Sequence, residues 1–95
     1  MPRPTDRSVS EHIGKLIEEQ REKRGLSRVE FAAAMDMSDV ALHHYEKGNR
    51  RITVETLHTV SGLLGKPISF FFKDLETPAP EVLKPQAKAP VAKAG

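Results

Sequence analysis

Cysteine is absent from the 95 residues. That removes disulfides, thiolate metal ligands and cysteine nucleophiles together. A secreted chain this short usually needs such cross-links, so a reducing cytoplasm is the expected setting. No apolar run approaches the roughly 20 residues that a bilayer requires, and no membrane partner is expected. The opening Met1-Pro2-Arg3-Pro4-Thr5-Asp6 lacks the apolar stretch of a secretory leader. Neither sign of charge dominates, since 15 Lys and Arg against 13 Asp and Glu leave +2. Nucleic-acid binding must therefore come from where charges sit and not from their sum.

The length fits one domain. After Leu75 the composition shifts: residues 76–95 hold four prolines, five alanines and three lysines, with no aromatic residue. Such a stretch cannot bury enough apolar surface to offset its ordering entropy, which predicts a disordered tail. Residues 1–7 read as a short arm, and 8–75 as the folded domain.

Within 8–75 the pattern is cap, periodic helix, glycine. Ser8 with Glu11, and Ser27 with Glu30, have capping-box spacing. Ser38 and Thr53 are the expected caps of a third and a fourth helix. Gly25, Gly48 and Gly65 are the expected stops. Val9, Ile13, Leu16 and Ile17 recur at helical spacing, as do Val54, Leu57, Val60, Leu63 and Leu64. Pro67 precedes Ile68-Ser69-Phe70-Phe71-Phe72, read as a short fifth helix. No segment alternates with period two. The predicted fold is all-α, five short helices joined by tight turns.

Only Asp36-Met37-Ser38 joins the second and third helices, a turn short enough to cross them steeply. Ala32 is small where the pair would approach most closely. Phe31, Met35, Met37, Leu42 and Tyr45 are apolar where it must bury itself. Asp36 stands where a left-handed backbone is wanted, which Asp tolerates. At about 100° per residue, Asp39, His43, Lys47, Val40 and His44 share one outward arc. Leu42, Tyr45 and Ala41 face inward. The outward arc offers acceptor, methyl, imidazole and ammonium groups, suited to base edges and phosphates. Lys47, Asn49, Arg50 and Arg51 form a cationic loop around Gly48.

These residues resemble the phage-repressor helix-turn-helix family of the Cro/cI, or XRE, type. The matching text is Ile13-Gly14, Arg21-Glu22-Lys23-Arg24-Gly25-Leu26-Ser27, Glu30-Phe31-Ala32, Met37-Ser38, Tyr45-Glu46-Lys47-Gly48, Glu55-Thr56-Leu57 and Leu64 through Phe72. The resemblance implies a duplex-DNA-binding transcription regulator, a repressor working as a homodimer, without catalysis or cofactor. It implies base contacts for Asp39, Val40, His43 and His44. Arg28, Ser38, Lys47, Asn49, Arg50 and Arg51 would meet phosphates, and Arg28 would also brace the start of the third helix. Glu46 would pair with Arg21, an expectation the angles support, since Glu46 falls at the edge of the buried face. Independently of the resemblance, Phe70, Phe71 and Phe72 point about 100° apart on one helix, so one or two should pack on Leu57, Val60 and Leu64 while at least one, Phe70 or Phe71, is left for a symmetry mate as the dimer element. Two departures stand out: Asp36 replaces the usual turn glycine, and Asp39 puts a negative charge on the reading face.

Two rival readings compete with this one. His43, His44 and His58 with Glu46 suggest a metal site, but His43 and His44 are adjacent and point about 100° apart, and no nucleophile motif or phosphate loop is present. An enzyme is therefore not expected, nor a bound metal. The other rival is an antitoxin that binds both DNA and a protein toxin, with 76–95 folding onto the partner.

Overall fold

The computed structural model describes residues 6–75; the expected tail, 76–95, and residues 1–5 of the expected arm lie outside the described residues. Four α-helices follow one another, α1 Asp6–Lys23, α2 Arg28–Ala34, α3 Asp39–Glu46 and α4 Val54–Leu64, and a 3-10 turn, Ile68–Phe72, closes the series. No strand occurs among the described residues, so the all-α reading holds. The fifth element is a 3-10 turn and not an α-helix. Its bonds run from the Phe70 N–H to Pro67 O and from the Lys73 N–H to Phe70 O, and five residues after a proline are short enough for that tighter winding.

Side chains start three of the helices as the sequence predicts. Ser27 Oγ accepts the Glu30 N–H at 3.0 Å while the Ser27 N–H donates to Glu30 Oε1 at 2.8 Å. Ser38 Oγ and Thr53 Oγ1 accept the N–H groups of Ala41 and Thr56, both at 3.0 Å. The bonds from the Ser27 backbone and hydroxyl hold the Glu30 carboxyl below the usual glutamate range. Its contribution to stability is therefore complete above that range and is lost as pH falls through the lowered value. The capping box expected at Ser8 is corrected: α1 begins at Asp6, which puts Ser8 inside the first turns. An Arg7–Glu11 pair at 3.0 Å, four residues apart, supports this earlier start.

A single type of closure ends all four helices. At Gly25, Asp36, Gly48 and Gly65 the chain turns left-handed, and the two N–H groups that follow the helix bond back to carbonyls of its last turn. Asp36 has φ 59°, the conformation the helix-turn-helix requires and a non-glycine rarely adopts.

The core gathers Ile13 and Ile17 of α1, Phe31 and Ala32 of α2, Leu42 of α3, Leu57, Val60 and Leu64 of α4, and Phe71 of the 3-10 turn. Helix α1 is the hub, packing on α3, α4 and the turn, while α2 packs on α3. Arg24 reaches from the end of α1 to the Gln20 side chain at 2.9 Å and to the Leu64 carbonyl, tying the tail end of α4 to α1. Of the five apolar residues at helical spacing in α4, two lie outside the core, Val54 at 77% and Leu63 at 43% exposed.

The phenylalanine run divides between core and surface as expected, but the outward member is Phe72 and not Phe70 or Phe71. Consecutive residues of a tight helix point in three directions, and Phe71 takes the inward one, with no exposed surface. It is a core residue and leaves no surface for a symmetry mate to meet. Phe70 stands edge-on to Phe71 at 5.3 Å, with the ammonium groups of Lys66 and Lys73 within 5.0 and 4.8 Å of its ring. Phe72 is the outward member, 44% exposed.

Where α1 crosses α3, Gly14 lets the backbones touch. A Cβ there would lie 2.8 Å from the Glu46 carbonyl carbon and nearer still to the carbonyl oxygens of Tyr45 and Glu46. Gly62, inside α4, would meet nothing within 4 Å. The same substitution should therefore act oppositely at the two sites. Gly14→Ala is expected to lower unfolding free energy by about 1–3 kcal/mol, because α3 must be pushed away. Gly62→Ala is expected to raise it by about 0.5–1 kcal/mol through helix propensity alone. Denaturant unfolding of both variants checks the pair; equal signs would contradict the close approach.

Candidate nucleic-acid interface

Helix α3 is eight residues long, and its orientation is set from beneath. Leu42 is buried in the core, and the Glu46 carboxylate has no exposed surface. An isolated carboxylate there would be costly, yet Glu46 is well partnered. Arg21 of α1 donates from Nε to Oε2 at 2.7 Å and from Nη2 to Oε1 at 3.3 Å. Arg21 also gives Nη1 to the Leu26 carbonyl at 2.7 Å, so the guanidinium holds the loop between α1 and α2 as well. The Glu46 hydrogen bond and charge raise the Arg21 guanidinium above its already high value. The pair read from the sequence is thus present, and it is deeply buried.

Arg28 is the second partner of that carboxylate, with Nε 3.3 Å from Glu46 Oε1. This corrects one expectation: Arg28 braces the end of α3, where Glu46 lies, and not its start. Its side chain remains 34% exposed.

The opposite side of α3 is open. Asp39 is exposed and Val40 is 60% exposed. His43 and His44 are half-buried, their rings edge-on with centroids 5.8 Å apart. His43 Nδ1 is shut away from solvent without a hydrogen-bond partner, which leaves Nε2 as the nitrogen a ligand could meet. Ser38 lies exposed beside Asp39, its oxygen occupied by the cap.

Cations surround the end of α3. Lys47 is about half exposed and stands 4.0 Å from Glu18. The Arg50 guanidinium lies 5.6 Å over the Tyr45 ring, which orients it at modest cost in freedom. Asn49 and Arg51 are exposed on the same loop. The structure thus brings Asp39, Val40, Ser38, Lys47, Asn49, Arg50 and Arg51 to the surface around α3, with the two histidines half-sunk among them. Phe72 lies elsewhere, on a turn that packs on α1 and α4.

Sequence reasoning missed Arg7. It was assigned to an arm, yet it stands on α1 and donates from Nη2 to Asn49 Oδ1 at 3.0 Å. The available signal was its spacing of four from Glu11. Among the described residues no three His, Cys, Asp or Glu side chains are placed to share an ion. No described helix is long and apolar enough to cross a membrane.

The ion pair can be tested alone. Glu46→Gln should cost about 3–5 kcal/mol, since it leaves the buried Arg21 charge without its partner, and Arg21→Met somewhat less, since Glu46 keeps the half-buried Arg28. The double variant should lose much less than the sum. Additive losses in a denaturant-unfolding cycle would contradict the pairing.

A helix-turn-helix family model matches residues 17–71. An uncharacterized HTH-type transcriptional regulator of Rickettsia conorii is 37% identical over 78 residues, 82% of this chain and 59% of its own. The control protein C.MunI of a Mycoplasma is 34% identical over 65% of this chain and 84% of its own. Among solved structures, the clp gene regulator ClgR of Corynebacterium glutamicum matches with a TM-score of 0.66 at 25% identity, over 75% of this chain and 72% of its own. Against two of the curated relatives the chain spans 59% and 45% of their length. The left-handed turn at Asp36, the clamped α3 and these matches agree: the chain belongs to the helix-turn-helix family of transcriptional regulators of the phage-repressor, or XRE, type.

Proposed function

We propose that the chain binds duplex DNA sequence-specifically, as a homodimer on a near-palindromic operator, and represses transcription by occupying a promoter, with no catalytic step. The observation that carries this reading is the two-sidedness of α3. Its inner side is fixed by a wholly buried carboxylate, while its outer side presents Asp39 and Val40 beside a cationic rim. A rigid helix with an exposed, chemically varied face is what major-groove reading needs. In this reading Asp39 accepts from cytosine N4, and Val40 meets a thymine methyl. His43 and His44, half-buried on the same face, would add base contacts through their accessible ring nitrogens. Lys47, Asn49, Arg50 and Arg51 hold phosphates, and Arg28 and Ser38 reach the backbone at the start of their helices.

The dimer reading rests on Phe72. Together with Val54 it opens onto an apolar hollow of about 240 Å³ that Val9, Ile13, Ile52 and Leu57 also line. An exposed aromatic over apolar surface suits a second copy of the chain. Paired on it, two α3 helices would meet successive major grooves about 34 Å apart.

Anisotropy titrations on duplex DNA across a salt series test the backbone contacts. Arg50→Ala should weaken binding to all duplexes alike and flatten the salt slope by about one unit. An unchanged slope and affinity would place the loop away from DNA. Phe72→Ser should give a folded monomer that binds operator poorly. Sedimentation showing the unaltered chain as a monomer both free and on DNA would contradict the dimer.

A further inference from the structure

With cysteine absent, methionine carries all the sulfur in the chain, at Met1, Met35 and Met37. Two of the three flank Asp36, the turn between the two helices of the recognition unit. Asp36 holds φ 59° without being a glycine, a conformation that costs free energy and persists only where neighbouring contacts enforce it. Met35 and Met37 supply such contacts, for both are half-buried and pack against the core. The Met37 N–H also donates to the Ala32 carbonyl at 3.0 Å. A Met37 side chain that left the core would therefore disturb the end of α2 and the start of α3 together.

Both side chains line a hollow of about 130 Å³ to which the first two turns of α4 contribute Glu55, Thr56 and Thr59. A space of that size admits a molecule as small as water or hydrogen peroxide. Its polar groups are ill suited to what an oxidant would leave behind. The Thr59 hydroxyl already donates to the Glu55 carbonyl at 3.2 Å, and Thr56 Oγ1 accepts from Thr53 Oγ1 at 2.9 Å. A carboxylate such as that of Glu55 accepts only. A new oxygen on either sulfur would find the Thr56 hydroxyl or water as its partner, and water lies outside.

We propose that Met35 and Met37 form an oxidation site, at which a peroxide converts thioether to sulfoxide, undocks α3 and so lowers DNA affinity. In the step a sulfur lone pair attacks one oxygen of hydrogen peroxide. The S–O bond forms as the O–O bond breaks, and the second oxygen departs as hydroxide and takes the proton of the first to become water. Sulfur loses two electrons and the peroxide gains them. The flexible apolar side chain becomes polar and turns to solvent, and the left-handed turn loses its support. The effect on affinity rests on the DNA-binding reading above; the chemistry of the site does not. Reductases return sulfoxide to thioether, so the change is reversible.

The test treats the full chain with hydrogen peroxide and maps the added oxygen by peptide mass spectrometry. Two readouts follow: binding to the duplex that the untreated chain enriches from a random pool, and amide exchange at Leu42 and Lys47, whose N–H groups bond to Ser38 and His43 across α3. Sulfoxide at Met35 and Met37 should weaken binding about tenfold, since only the molecules with α3 docked bind, and should speed exchange at both amides. The two methionine sulfoxide reductases together should restore both readouts. Met35→Leu with Met37→Leu nearly conserves volume and should bind within about twofold of the unaltered chain, before and after peroxide. Unchanged binding and exchange in a chain that carries both sulfoxides would overturn the site, as would an equal peroxide loss in the leucine pair or oxygen added at Met1 alone. Should the leucine pair disturb folding, the reductases decide, and a loss they do not reverse would overturn the site. Failure of the untreated chain to enrich any duplex would overturn the DNA-binding reading, while exchange at Leu42 and Lys47 would still decide whether oxidation undocks α3.

Discussion

One carboxylate organises the recognition unit. Glu46 ends α3, has no exposed surface, and is bound by Arg21 of α1 and Arg28 of α2. Three helices therefore converge on two oxygen atoms. Such a pair contributes little net stability compared with well-packed apolar side chains, because both charges must be stripped of water. Its value is geometric: a bidentate guanidinium accepts few orientations of its partner. Rotating α3 about its axis would break the pair, so the outward arc is fixed once the inward contact is made.

The remaining packing serves the same end. Gly14 lets α1 and α3 approach until backbones touch, which puts Arg21 within reach of Glu46. Gly48 brings the loop after α3 down onto α1, where Arg7 meets Asn49. Ser38 starts α3, and Asp36, held at φ 59°, sets its angle to α2. The apolar core supplies the driving force, while the polar contacts choose one arrangement among several that would bury similar area. Positive charge collects outside, around the end of α3, and the buried pair is neutral overall. Little of the cationic loop's field is cancelled from within.

The local grammar of this fold was legible in the sequence. Caps at Ser27, Ser38 and Thr53 and stops at Gly25, Gly48 and Gly65 depend on a residue's own backbone, and they stand where expected. The Arg21–Glu46 pair was legible because a charged residue on a buried edge demands a partner. What failed depends on contacts between elements. Helical spacing could not say which of Phe70, Phe71 and Phe72 turns inward, since that follows from the docking of a 3-10 turn on α1 and α4. It could not place Val54 outward, because residues of a helix's first turn join the core only where another element covers them. Arg7 was lost for a related reason. Its role exists only through a loop 42 residues away, and only its spacing from Glu11 hinted that α1 began so early. Arg28 was assigned to the wrong end of α3 because its contact with Glu46 joins two helices, and spacing within one helix does not reveal it.

The central claim is that the exposed arc of α3, held by the buried ion pair, reads DNA sequence. Repeated selection from a random duplex pool tests it most directly, run with the unaltered chain and with Asp39→Asn. The account predicts two related half-sites, centred about 10 base pairs or one helical turn apart, with the base preference at one position of each half-site altered in the variant and the spacing preserved. A pool that shows no enrichment, or an enriched motif identical for both proteins, would contradict it.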